Sequence, residues 1–199
     1  MSETLDQGYW NSRWLHHQLG WDIGYASTPL VDYINGLENK GISILIPGCG
    51  NAYEAAYLLE QGFTNITVID IAEKAVELVK EKFAGKEGIR IIHGDFFELE
   101  GKYDLILEQT FFCALDPALR PSYVSKMAEL LKSDGQLVGV LFNTQFQRPG
   151  PPFGGSEAEY RPLFEKSMDI CVMEPCQNSI PERQGNELFI IVKKKNGKD

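Results

Sequence analysis

The 199 residues include 28 acidic and 19 basic side chains, for a formal charge of −9, with 43% apolar and 24% charged positions. Those are the proportions of a globular chain with one substantial core. The negative balance argues against nucleic acid as a partner, since phosphate binding needs clustered Lys and Arg. No run approaches the roughly 18 apolar residues of a membrane span. The opening MSETLDQGYW lacks the charged-then-apolar order of a secretion signal, so a cytoplasmic location is expected. Cys49, Cys113, Cys171 and Cys176 form no C-x-x-C pair, and the three histidines are not at H-x-x-x-H spacing, so no metal site is expected.

Tyr9, Trp10, Trp14, Trp21 and Tyr25 place five large aromatics in 17 positions. Trp10 and Trp14 are four apart and share a helix face, with Gly20 ending that helix. Pro29 fits the first turn of a second helix reaching about Asn35, with Ser27 or Thr28 at its cap. Such a segment either docks on the core or covers a ligand, and indoles bring both apolar area and a π face for a cation. All three tryptophans lie here, and residues 1–36 are expected to form a lid.

Residues 42–46, ISILI, read as a strand. The turn Gly48-Cys49-Gly50-Asn51 follows, then a helix whose Ala52, Ala55, Ala56 and Leu59 share one face, with Glu54 and Gln61 opposite. Residues 66–69 form the next strand, ending on Asp70. Gly50 to Asp70 spans 20 residues, the distance at which an acid on a second strand reaches a ribose diol. The glycines do not complete G-x-G-x-x-G, and there is no G-x-x-x-x-G-K-[ST] loop. The turn therefore suits a nucleoside without a pyrophosphate, and S-adenosylmethionine is the foremost candidate. A strand-to-helix turn with no ligand has the same local pattern.

Residues 72–83 are an amphipathic helix and 89–93 a strand. At its tip stand Asp95 and Phe96, either a solvated turn or an adenine contact. A fourth strand, 103–109, leads into TFFCAL. A helix over 120–131 and a strand over 136–142 follow. Three prolines and three glycines in residues 148–155 exclude regular structure there. Residues 157–164 read as a helix. Strands at 168–174 and 187–194, with no helix between them, are expected to be antiparallel. The fold class is α/β: a three-layer, Rossmann-like, mostly parallel seven-stranded sheet with a C-terminal antiparallel hairpin, as one domain over 1–199.

Four stretches carry a family likeness: YWNSRW with WDIG, LIPGCG, FFCALDPALRP and PGPPF. With them the chain resembles the class I S-adenosylmethionine-dependent methyltransferases, within these the thiopurine S-methyltransferase family and its thiol and halide methyltransferase branch. The resemblance implies cofactor contacts at Trp10, Trp14, Trp21, Gly48, Asp70, Asp95, Phe96 and Gln109, the last where plant members tend to have Tyr. It also implies a substrate-site arginine at Arg120, whose other reading is a surface arginine pairing near its own helix start. The expected activity is methyl transfer to a small soft nucleophile: a thiol, bisulfide, thiocyanate or halide. Such acceptors are nucleophiles near neutral pH, so no catalytic residue is expected, and Glu108 reads as structural. A nitrogen or oxygen acceptor, a dinucleotide-dependent oxidoreductase and a non-catalytic S-adenosylmethionine sensor are the rival readings.

Overall fold

The computed structural model describes residues 4–195, so the two ends of the expected 1–199 domain lie outside it. The chain begins with helices α1 (Gln7–Leu15) and α2 (Thr28–Asn35). Strand, helix and strand then alternate: β1 (Ile44–Pro47), α3 (Tyr53–Glu60), β2 (Ile66–Asp70), α4 (Glu73–Lys82) and β3 (Ile89–His93). β4 (Tyr103–Gln109), α5 (Arg120–Leu130), β5 (Leu131–Phe142), α6 (Glu157–Phe164), β6 (Met168–Pro175) and β7 (Glu187–Lys194) complete it.

The sheet order is β3-β2-β1-β4-β5-β7-β6. β1 to β5 are parallel, and β7 runs antiparallel to both β5 and β6. The expected hairpin is present, and its second strand is inserted between β5 and β6. Strand residues alternate between two cores. Leu45, Ile106 and Leu137 pack with Tyr123, Met127 and Phe164 from α5 and α6. Ile44, Ile46, Leu105 and Leu107 pack with Leu30, Ile34, Ala55 and Leu58 from α2 and α3. The strand order reverses between β1 and β4, and the carboxyl ends of strands at such a reversal open the crevice where open α/β sheets bind ligands.

Three local expectations are corrected. α1 ends at Leu15, before Gly20, because His17 takes the left-handed conformation at φ 53°. The amides of His17 and Gln18 then bond back to Trp14 and Arg13 and close the helix. β1 begins at Ile44, two residues late. Glu54 does not face solvent: it is 6% exposed and accepts from the Ser27 amide at 2.9 Å. That amide is one of the unpaired N–H groups at the start of α2, so packing α2 on α3 draws the carboxylate inward.

Candidate active site

A cleft of about 1340 Å³ lies over the carboxyl ends of β1, β2, β3 and β4. It is larger than most single-ligand pockets, with room for a nucleoside and a second molecule. Its floor is the turn after β1. Gly48 and Gly50 sit at φ 56° and 52°, in the left-handed region that favours glycine. A Cβ on Gly48 would stand 2.3 Å from the Phe111 ring, so the turn also needs the missing side chain for space.

Asp70, at the tip of β2, borders the cleft. Its Oδ2 accepts from the Gly50 amide at 2.9 Å and its Oδ1 from the Ala72 amide at 2.9 Å. One side chain thereby joins the glycine turn to the start of α4. Burial raises its pKa, opposed by the amides it accepts from and by His93. Two oxygens have about four acceptor sites, so these bonds leave capacity for a diol. Asp95 borders the cleft beside the buried Phe96, and its carboxylate accepts from the Phe97 amide at 2.8 Å.

The roof is the N-terminal segment. Trp10, Trp14 and Trp21 all border the cleft, with Trp21 edge-on to Trp10 at 5.5 Å and to Trp14 at 6.3 Å. Trp14 packs on Ala72 and Ala75, and its ring lies 3.7 Å from the Cβ position of Gly50. Asn11 accepts from the Lys74 amide at 2.8 Å, which fixes α1 to the first turn of α4.

The far wall is built by Thr110, Phe111, Cys113 to Leu115, Phe142, Phe146, the Pro-Gly loop and Arg183. The Phe153 amide donates to the Cys113 carbonyl at 2.7 Å, clasping the Pro-Gly loop to the loop after β4. Beneath it Glu108, fully buried, accepts from the Phe111 and Phe112 amides at 2.8 and 3.0 Å and from the Tyr123 hydroxyl at 2.6 Å. Burial pushes its pKa up to about 7. Gly139 leaves it space, since a Cβ there would stand 2.4 Å from the Glu108 Cβ. Glu108 does not border the cleft. Burial, with Glu108 nearby, pushes the Cys113 thiol far up, so it is no thiolate at neutral pH.

Seven of the nine expected site residues meet in this one cleft, and two do not. Arg120 is buried behind the wall, against the Phe112 and Tyr160 rings at 4.7 and 5.3 Å, and donates to the Gly154 carbonyl at 2.9 Å. Gln109 alternates onto the face of Leu105 and Leu107, away from the cleft, where its Oε1 is buried without a partner. Thr110, at φ 60°, borders the cleft in its place.

Arg183 was not expected. It borders the cleft, stands 5.3 Å from the Phe142 ring, and donates to the Trp21 carbonyl at 3.1 Å and to Glu187 at 3.4 Å. Its only sequence signal was a lone arginine in the polar loop before the last strand. Among the described residues no group of His, Cys, Asp or Glu side chains is placed to hold a metal ion, and no helix is long and apolar enough to cross a membrane.

Solved structures share this architecture. One is a 1,6-didemethyltoxoflavin-N1-methyltransferase from Burkholderia thailandensis with bound S-adenosylhomocysteine (TM-score 0.75, 19% identity, 96% of this chain and 87% of that one). The fold is thus that of the class I methyltransferases. The thiopurine S-methyltransferase family profile matches residues 5–190. A probable thiol methyltransferase 2 of Arabidopsis thaliana is 33% identical over 82% of this chain and 74% of its own. Thiocyanate methyltransferase 1 of Brassica oleracea is 29% identical over 94% and 85%. The chain belongs to the thiopurine S-methyltransferase family; it is a methyltransferase, and S-adenosylmethionine is its cofactor. The cleft fits that group: an acid with spare acceptor capacity, a glycine turn with no space for a Cβ at Gly48, and three indoles overhead.

Proposed function

We propose that the cleft transfers the methyl of S-adenosylmethionine to a small sulfur nucleophile, a thiol, bisulfide or thiocyanate, with halides as further acceptors. When bound, the cofactor supplies a methyl already activated by its sulfonium. In this reading Asp70 accepts from the ribose hydroxyls, Asp95 and Phe96 hold adenine, and Gly48 lets the turn approach the ligand. Trp10, Trp14 and Trp21 close over it as a lid formed by residues 4–36 and keep water out.

The acceptor end carries the argument for a soft nucleophile. Its wall is aromatic and proline-rich around the Arg183 cation, while Glu108 is sealed off and spent on three donors. A nucleophile that arrives as an anion needs placement and a dry pocket rather than a base. Arg183, in place of Arg120, is assigned to an anionic acceptor, since a guanidinium stays charged at any working pH. Arg120 acts through the Pro-Gly loop that it holds. The names of the Arabidopsis and Brassica relatives support the acceptor class. An acceptor screen with labelled S-adenosylmethionine tests it: methylated bisulfide, thiocyanate or iodide supports the reading, and turnover confined to nitrogen or oxygen acceptors overturns it.

A further inference from the structure

Arg13 lies one residue before Trp14 on α1 and borders the cleft. Its guanidinium is held by neutral partners: Nη1 donates to Gln18 Oε1 at 2.9 Å and Nη2 to the Tyr9 hydroxyl at 2.8 Å. It also stands 4.9 Å from the Tyr9 ring. None of the five ion pairs among the described residues includes Arg13, whereas Arg183 is paired with Glu187. Three of its five N–H donors are left over. A half-buried, oriented guanidinium that makes no ion pair among the described residues, in a chain of charge −9, is suited to a carboxylate or similar group.

The cofactor reading says which. If Asp95 and Asp70 mark adenine and ribose, the remaining part of the ligand is an amino acid, reaching from the ribose along the glycine turn. α1 stands over that turn, with Trp14 against Gly50 and Asn11 on the start of α4. We propose that Arg13 binds the α-carboxylate of the methionine moiety from the lid, so that cofactor binding itself draws α1 onto the core. The proposal rests on the cofactor reading above. It gives the lid a charge contact that the tryptophans lack, because carboxylate recognition by an arginine fork is directional where stacking is not.

Calorimetry on the full chain separates the two. S-adenosylhomocysteine carries the carboxylate, and 5′-methylthioadenosine keeps adenine, ribose and sulfur without the amino acid. Arg13→Met should weaken S-adenosylhomocysteine about 10- to 100-fold and leave methylthioadenosine unchanged. Arg13→Lys should recover part of the loss, as a charge without the fork. Unchanged S-adenosylhomocysteine affinity in Arg13→Met overturns the proposal and leaves the cofactor reading standing. Equal losses for both ligands also overturn it, making Arg13 a support of the lid's own fold. A raised KM for thiocyanate alone would move Arg13 to the acceptor. A wild-type chain that binds neither ligand removes the cofactor reading and the proposal with it.

Discussion

The Asp70 carboxylate and the Gly50 amide, 20 residues apart in sequence, meet at 2.9 Å on the floor of the cleft. The bond fixes the glycine turn against the tip of β2, so the acid that would bind ribose also shapes the backbone beside it. Asp70→Asn keeps the size and one acceptor but loses the charge. It should weaken S-adenosylhomocysteine by about 1.5–3 kcal/mol, read by calorimetry. Wild-type affinity in a folded variant would exclude Asp70 from the ribose site.

Glu108 gives a pH dependence of stability whose sign is fixed. Burial raises its pKa from 4.5 to about 7. Between those values the folded chain keeps a proton that the unfolded chain releases. The stabilisation is therefore complete below about pH 4.5 and is lost as pH rises through about 7, a decline of up to about 3 kcal/mol. Glu108→Gln can still accept from the Phe111 and Phe112 amides and turn its NH₂ to the Tyr123 hydroxyl. Denaturant unfolding from pH 4.5 to 8 should show a shallower fall for that variant. Parallel pH curves would mean that Glu108 does not titrate in this range.

Arg183 and Arg120 should separate. Arg183→Ala should raise KM for thiocyanate or bisulfide at nearly constant kcat, because an interaction made equally in ground and transition states is lost. Arg120→Ala should instead lower stability by about 1–3 kcal/mol, since the Gly154 carbonyl and a packed guanidinium are lost together. If Arg120→Ala raised KM without changing the melting temperature, the cation at the acceptor would be Arg120 after all.

The lid should respond to ligand. With every tryptophan in residues 10–21, indole fluorescence reports on this segment alone. Saturating S-adenosylhomocysteine should shift it and slow proteolytic cutting ahead of Pro29. A protein in which neither changes has a static N-terminal arm.

The glycine turn, Asp70 and the final hairpin were legible in the sequence because each is a short-range pattern: a turn chemistry, a spacing, two apolar runs with no helix between. The tryptophans were legible by crowding. What escaped was set by packing between distant segments. Glu54 follows a polar position of α3 but is drawn inward by an amide 27 residues away. Arg120 stands in the expected place on the chain, yet its side chain turns to Gly154, and strand alternation carries Gln109 to the opposite face. Arg183 reaches the cleft because β7 is inserted beside β5, which brings the preceding loop against Trp21.

Methyl transfer to a sulfur nucleophile without a protein base sets the pH dependence of kcat/KM for each acceptor. For thiocyanate, an anion across the working range, the profile should be flat from about pH 6 to 9. For a simple thiol it should rise with the thiolate fraction, with an apparent pKa near that of the free thiol, about 8.5 for a cysteine-like acceptor. A profile for thiocyanate that instead follows a single ionisation near pH 7, and that Glu108→Gln abolishes, would put a titrating carboxylate in the reaction and rule out base-free transfer.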